Sequence, residues 1–343
     1  MKKCFALLLA LVTALAAATT AWAAALPEDP VTPSVTVENQ TYTDITSVPI
    51  AKLYQLVNEG TVSPAETFHF TIEQESVSDS SITDVSAMPM FDPAAFDIAF
   101  TDGEATVAGA SQSAALTLPT YTSVGIYTYK ITETAGTTAG VTYNTQPLYL
   151  KVTVLQADNS DGKVRVAAVH LGTADGSKTA GIVNTYAAGT LDVTKTVTGL
   201  LGNRDKDFQF QVVLTKEQGK TMASDIGLTV AGVAQAMPAW DENGTCTLTF
   251  TLRHGQTATI SNLPYGTAYT VTEADYTADG YTTAKTGDTG TIAAAQATAT
   301  FTNTKDGSID NGVLLDSAPY VVLLAVAAAG GVMLMRRRRG NRS

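Results

Sequence analysis

Between about residues 31 and 305 the apolar side chains recur at every second position in short segments, and no stretch of useful length carries them at helical spacing. Phe68-His69-Phe70-Thr71-Ile72, Tyr127-Thr128-Tyr129-Lys130-Ile131, Leu148 to Val154 and Phe208 to Leu214 are clear cases. A period of two puts alternate side chains on opposite faces of an extended strand, one face apolar and one polar. Turn-forming pairs such as Asp161-Gly162, Asp175-Gly176 and Asn243-Gly244 separate the segments. The pattern predicts an all-β chain, built as sandwich or barrel. One helical turn is expected near Asp92–Phe96 and nothing longer. A small-residue stretch, Ala187-Ala188-Gly189, divides the body into 31–188 and 189–305, each long enough for a domain.

The two ends have a different character. Residues 1–25 read as a secretory signal peptide: Lys2 and Lys3, an apolar run from Phe5 to Ala18, and the small-x-small site Ala21-Trp22-Ala23. Cleavage there removes Cys4 and leaves Cys246 as the single thiol, so the exported chain has no internal disulfide. Residues 306–319 form a linker. Residues 320–343 hold an uncharged run from Tyr320 to Met335, followed by four arginines, Arg336 to Arg339, as expected on the inner side of a membrane. This end is either a plain membrane anchor or a sorting tail with a cleavage site just upstream.

Charge and composition remove several functions. The chain has 21 Lys+Arg against 32 Asp+Glu, a net charge of −11. Seven of the bases sit at the two ends, so the body is more acidic still. Such a surface has no basic footprint for phosphates, and nucleic acid is excluded as a partner. Two cysteines and three histidines (His69, His170, His254) are too few for a Cys/His metal centre, so neither metal nor cofactor is expected. Gly219-Lys220-Thr221 is not a phosphate loop, because Leu214 stands where its first glycine belongs. Asp158 to Gly162 reads as a turn rather than a calcium loop. Cys246, in an alternating run, reads as a small buried hydrophobe. No histidine lies in a nucleophile motif, so hydrolase activity is not expected.

The two halves repeat an order of residues. Each opens with an apolar strand bearing a lysine, Lys52 or Lys195. Each has a late Tyr-containing strand ending in Thr-Glu, at Glu133 or Glu273. Each closes with a strand bearing Asn then Thr, at Asn184 or Asn303. Strand parity puts all six on apolar faces. Lys52 shares its face with Ile50, Tyr54 and Leu56; Lys195 with Leu191, Val193 and Val197. Glu133 falls in line with Tyr127, Tyr129 and Ile131, and Glu273 with Tyr269 and Val271. Asn184 aligns with Ile182 and Tyr186, and Asn303 with Ala299 and Phe301. Polar groups on core faces are costly unless they meet.

Burial penalises the charged form of both lysine and glutamate. A neutral lysine amine is a nucleophile, and a protonated glutamic acid can hydrogen-bond the Asn carbonyl and relay protons. Attack on the carboxamide then expels ammonia and leaves a Lys–Asn isopeptide bond, in one autocatalytic event with Glu133 or Glu273 as general acid/base. The bond would tie the first strand of each domain to its last. The plainer alternative is a buried Lys–Glu ion pair with a hydrogen-bonded Asn.

At these residues the chain resembles the major (backbone) pilins of Gram-positive bacteria, and in particular the FctA-type pilin with isopeptide-linkage domains. Its second half also resembles the Cna protein B-type domain, in Leu191-Asp192-Val193-Thr194-Lys195-Thr196-Val197, Ile260 to Glu273, and Phe301-Thr302-Asn303. The resemblance implies two tandem Ig-like β-sandwiches in a structural protein, not an enzyme. It further implies that a sortase joins the cleaved tail of one subunit to a lysine of the next. Lys178, six residues before Asn184, fits that lysine; the alternative is an ordinary exposed turn lysine. The sorting signal departs from the family pattern of Pro and Thr before the scissile Gly. Ile309-Asp310-Asn311-Gly312 keeps only the Gly, placing cleavage between Asn311 and Gly312. The partners implied are sortase, further copies of the chain, accessory pilins, peptidoglycan or membrane, and a host ligand. The place implied is the cell surface, in a pilus or anchored to the wall, with a membrane-embedded precursor. The competing reading is a monomeric anchored adhesin on the same scaffold; a secreted enzyme is a distant third.

Overall fold

The computed structural model describes residues 44–157, 163–179, 181–222 and 225–307. The expected signal peptide, the turn at Asp158–Gly162, the sorting signal with Asn311 and Gly312, and the apolar tail lie outside the described residues. Within them the chain is almost wholly strands. The first nine are β1 (Ser47–Leu56), β2 (Glu66–Ser78), β3 (Ala95–Phe100), β4 (Ala110–Thr117), β5 (Gly125–Thr134), β6 (Val141–Thr142), β7 (Leu148–Gln156), β8 (Val164–Gly172) and β9 (Gly181–Tyr186). They form a sheet ordered β4-β1-β9-β6 facing a sheet ordered β3-β2-β5-β7-β8. The next ten are β10 (Ala188–Thr198), β11 (Phe208–Thr215), β12 (Gly227–Val230), β13 (Val233–Gln235), β14 (Thr245–Leu252), β15 (Thr257–Pro264), β16 (Ala268–Glu273), β17 (Thr282–Thr286), β18 (Thr289–Thr291) and β19 (Gln296–Thr304). Their sheets run β13-β12-β15-β10-β19-β17 and β14-β11-β16-β18.

The period of two in the sequence is the period of burial. In β2, Phe68, Phe70 and Ile72 are buried while His69, Thr71 and Glu73 are exposed. In β10, Leu191, Val193, Lys195 and Val197 are buried and the intervening Thr and Asp side chains are not. Each sandwich closes on its own core, one around Tyr54, Phe68, Tyr129 and Leu150, the other around Phe208, Phe210, Ile260 and Phe301. The helical turn expected at Asp92–Phe96 is absent. Residues 92–94 are a bend, and Ala95–Phe100 is an edge strand whose Ile98 and Phe100 face the core. Its alternation continues the rule of the other strands, and pairing with β2 overrides a weak local helical preference. The short helical turns are 3₁₀, at Val85–Ala87 and Thr277–Asp279.

Two features position the sites. In each sandwich the first strand lies beside the last, in parallel: β1 with β9 and β10 with β19. Parallel neighbours need a long crossover, and here that crossover is the rest of the sandwich. The second feature is the junction. A single residue, Ala187, separates β9 from β10. Its N–H donates to Gly140 O and its carbonyl accepts from Tyr265 N–H, each at 2.9 Å. Gly140 has φ +78°, and a Cβ there would stand 2.6 Å from Ala187 O, so the close approach requires glycine. Across the junction the Asn262 side chain accepts from Val62 N–H at 3.0 Å and donates to Val62 O at 2.9 Å, as a neighbouring strand would. Asn58 Nδ2 donates to Ala188 O and to Tyr265 OH, each at 2.7 Å.

Candidate functional site

The six polar residues singled out in the sequence meet in two groups of three, one buried between the sheets of each sandwich. Lys52 and Lys195 are 0% and 1% exposed, and Asn184 and Asn303 are 1% and 0% exposed. Register explains the meeting. Asn184 stands opposite Tyr54, two residues beyond Lys52 on the same face of β1. Asn303 stands opposite Val197, two residues beyond Lys195 on β10. The same diagonal, repeated on parallel strands, sets amine beside carboxamide in both domains. The acids come from the facing sheet. Glu133 pairs with Phe70 in the β2–β5 ladder, and Glu273 with Phe210 in the β11–β16 ladder.

In the first group Lys52 Nζ donates to Glu133 Oε2 at 2.7 Å, and Asn184 Nδ2 donates to Glu133 Oε1. In the second, Lys195 Nζ lies 2.6 Å from Glu273 Oε1, without the alignment of a hydrogen bond, and Asn303 Nδ2 donates to the same oxygen at 3.1 Å. One expectation needs correction. The carboxyl does not face the Asn carbonyl oxygen; in both groups it faces the amide nitrogen. Asn184 Oδ1 turns instead to the backbone N–H of Asn144, at 3.0 Å. Of the two ends of a carboxamide only the oxygen can accept from a backbone N–H, so the Asn144 N–H selects this orientation.

Burial sets the protonation. Desolvation by the core pulls the Lys52 amine down to about 8 from its ordinary 10.5, against the opposing pull of Glu133. Desolvation lowers Lys195 as well, again opposed by Glu273. Both amines are thereby moved toward the neutral, nucleophilic form. The aromatic floor responsible went unassigned in the sequence. Lys52 Nζ lies 4.4 Å from the centre of the Phe68 ring, and Lys195 Nζ 4.2 Å from that of Phe208. The signal for these residues was present: Phe-x-Phe, at Phe68–Phe70 and Phe208–Phe210, occurs once in each half. The second group borders a surface cleft of about 390 Å³ lined by Glu273, Tyr281, Thr283, Lys285 and Phe301.

The remaining sequence candidates are elsewhere. Lys178 is exposed on the crossover between β8 and β9, bridged to Gly172 at the sheet edge. Cys246 is buried in the second core, its Sγ 3.3 Å from Pro238 O. Among the described residues no three His, Cys, Asp or Glu side chains gather as metal ligands, and no helix is long and apolar enough to cross a membrane.

Comparison with known proteins places these groups in a family context. Residues 48–187 match the Spy0128-like isopeptide containing domain, FctA. Residues 189–305 match a domain family of unknown function, DUF7601. A pilin of Streptococcus pyogenes serotype M1 is 28% identical over 311 residues, which cover 84% of this chain and 90% of that protein. The crystal structure of the major pilin from Streptococcus pyogenes aligns with a TM-score of 0.50 at 25% identity, over 77% of this chain and 100% of that one. The chain thus carries a Spy0128-like isopeptide containing domain in its first half and is similar to a streptococcal pilin along most of its length.

Proposed function

We propose that this structural pilus subunit is joined covalently at two levels: an autocatalytic Lys–Asn isopeptide bond inside each sandwich, and sortase-made bonds between subunits at the cell surface. The observation that carries the first level is the pair of buried Lys–Glu–Asn groups with one shared register. Lys52 Nζ, as a neutral amine, adds to Asn184 Cγ, and the carbonyl electron pair moves onto Oδ1. Glu133 takes the proton released from Nζ and returns it to Nδ2. The Cγ–Nδ2 bond breaks, the carbonyl re-forms and ammonia leaves. Lys195, Asn303 and Glu273 carry out the same sequence in the second sandwich, where the cleft beside Glu273 lets ammonia out. Each site reacts once and has no turnover.

For the second level, Lys178 is the acceptor amine and the segment Ile309-Asp310-Asn311-Gly312 supplies the acyl group, with cleavage after Asn311. The layout supports this reading. Lys178 is on the outer surface of the first sandwich, whereas the chain leaves the second sandwich after β19, beyond the far end of β10. At about 3.3 Å per residue β10 alone spans roughly 33 Å. One subunit's exit and the next subunit's lysine can then join head to tail, and the tail and basic arginines hold the precursor in the membrane until transfer. Accessory pilins, peptidoglycan attachment and contact with a host ligand follow on the same reading. Intact-mass measurement tests the first level: the secreted body should weigh two ammonia molecules less than its sequence. A body at full sequence mass overturns it. Boiled wall extracts test the second: a ladder of covalent oligomers supports polymerisation, and a single band supports the monomeric adhesin instead.

A further inference from the structure

Asn184 Oδ1 is the atom that must carry negative charge when an amine adds to the carboxamide, and it already accepts the Asn144 N–H at 3.0 Å. The loop that presents this N–H, between β6 and β7, is braced on both sides. Asn144 Nδ2 donates to Gln146 O at 2.7 Å, and its Oδ1 accepts from Gln146 N–H at 3.2 Å. Next to it, Tyr143 OH donates to Glu66 Oε1 at 2.8 Å, and the Tyr143 ring packs edge-on to Phe68, 6.0 Å between centres. Phe68 is the ring under Lys52 Nζ, so one packed unit holds both the nucleophile and the donor. The second sandwich has no counterpart: Asn303 Oδ1 is buried without a hydrogen-bond partner.

Resting on the cross-linking reading above, we propose that the Asn144 backbone N–H is the oxyanion donor for the first isopeptide bond, held on target by the side chains of Asn144 and Tyr143. It acts on the tetrahedral adduct, in which Nζ is bonded to Cγ and the former carbonyl electron pair rests on Oδ1. A donor fixed before charge develops needs no reorganisation, which is the source of its effect in a dry site. The second bond forms without such a donor.

The test uses the full chain, made in a short cell-free pulse, chased and quenched in acid. After digestion, the joined Lys52–Asn184 and Lys195–Asn303 peptides are followed against time by mass spectrometry. Asn144→Pro removes the N–H. Asn144→Ala keeps it but removes both bonds to Gln146, and Asn144→Asp restores the acceptor for Gln146 N–H. The first joined peptide should form about 10²-fold more slowly in Asn144→Pro. It should slow several-fold in Asn144→Ala and recover most of its rate in Asn144→Asp. The second joined peptide should keep its rate in all three. An unaltered rate for the first peptide in Asn144→Pro overturns the proposal; if that variant fails to fold, an unaltered rate in Asn144→Ala does so. Unsubstituted chains that never yield either joined peptide overturn the cross-linking reading instead.

Discussion

Lys52 shows how far a core can change one side chain. Phe68 and Phe70 take the place of its water, and loss of hydration outweighs the attraction of Glu133, so its amine falls to about 8. The neutral form is the reactive one, and below that value its fraction drops about tenfold per pH unit. The first cross-link should therefore form faster as pH rises from 6 to 8 and level off above. A rate that does not change over this range in pulse-made chains would remove the neutral amine from the mechanism. The acids are tested separately. Glu133→Ala and Glu273→Ala should each retain the mass of one ammonia, in the sandwich that carries the change and not in the other. Loss of both ammonias from either variant would show that the carboxylate is dispensable.

Among the strands, the consequential choice is parallel pairing of first with last. A bond from Lys52 on β1 to Asn184 on β9 closes a loop of more than 100 residues, and a cross-link over such a loop stabilises by about 5 kcal/mol. Asn184→Ala leaves Lys52 paired with Glu133 but cannot form the bond. Its first sandwich should melt roughly 10–20 °C lower, with the second transition little changed. Calorimetry reads both transitions, and an unshifted first one would mean that no cross-link had been present. The same pairing decides how tension passes. On the cross-linking proposal, a pull entering β1 and leaving through β9 is carried by the Lys52–Asn184 bond alongside the β1–β9 ladder. The aromatic floor belongs to this scale too, because the ladders of β2–β5 and β11–β16 set Phe70 and Phe210 opposite the acids and so fix Phe68 and Phe208, two residues earlier on the same faces.

For the molecule as a whole, the junction decides whether two sandwiches behave as one rod. Asn262 has φ +56°, a conformation that asparagine tolerates better than alanine. Its side chain satisfies both backbone groups of Val62. Asn262→Ala should strain the turn and orphan those groups, at a cost of about 1–3 kcal/mol. The two sandwiches should then scatter X-rays as a more flexible pair, while each still completes its own cross-link; unchanged scattering would show that the junction is held by other contacts. At the level of assembly, Lys178→Arg keeps the charge but not the acceptor amine. It should abolish the ladder in boiled wall extracts, and a surviving ladder would move the subunit joint to another lysine.

Much of this was legible in the linear chain. The period of two reported the strands and their buried faces, because alternation is a local property of each segment. The same parity put Lys52, Glu133 and Asn184, and their counterparts Lys195, Glu273 and Asn303, on core faces before any partner was known. Other features had no local signature. The two-residue diagonal between Lys and Asn, the facing of the amide nitrogen to the carboxylate, the Asn144 N–H on Asn184 Oδ1, and the hold of Asn262 on Val62 all depend on segments far apart in the chain. Side-chain type and spacing determined which groups would be buried, since that follows from hydrophobicity along each strand. Packing in three dimensions decided which groups touch, and a backbone N–H is a donor that every residue but proline carries, so no sequence marks the one that matters.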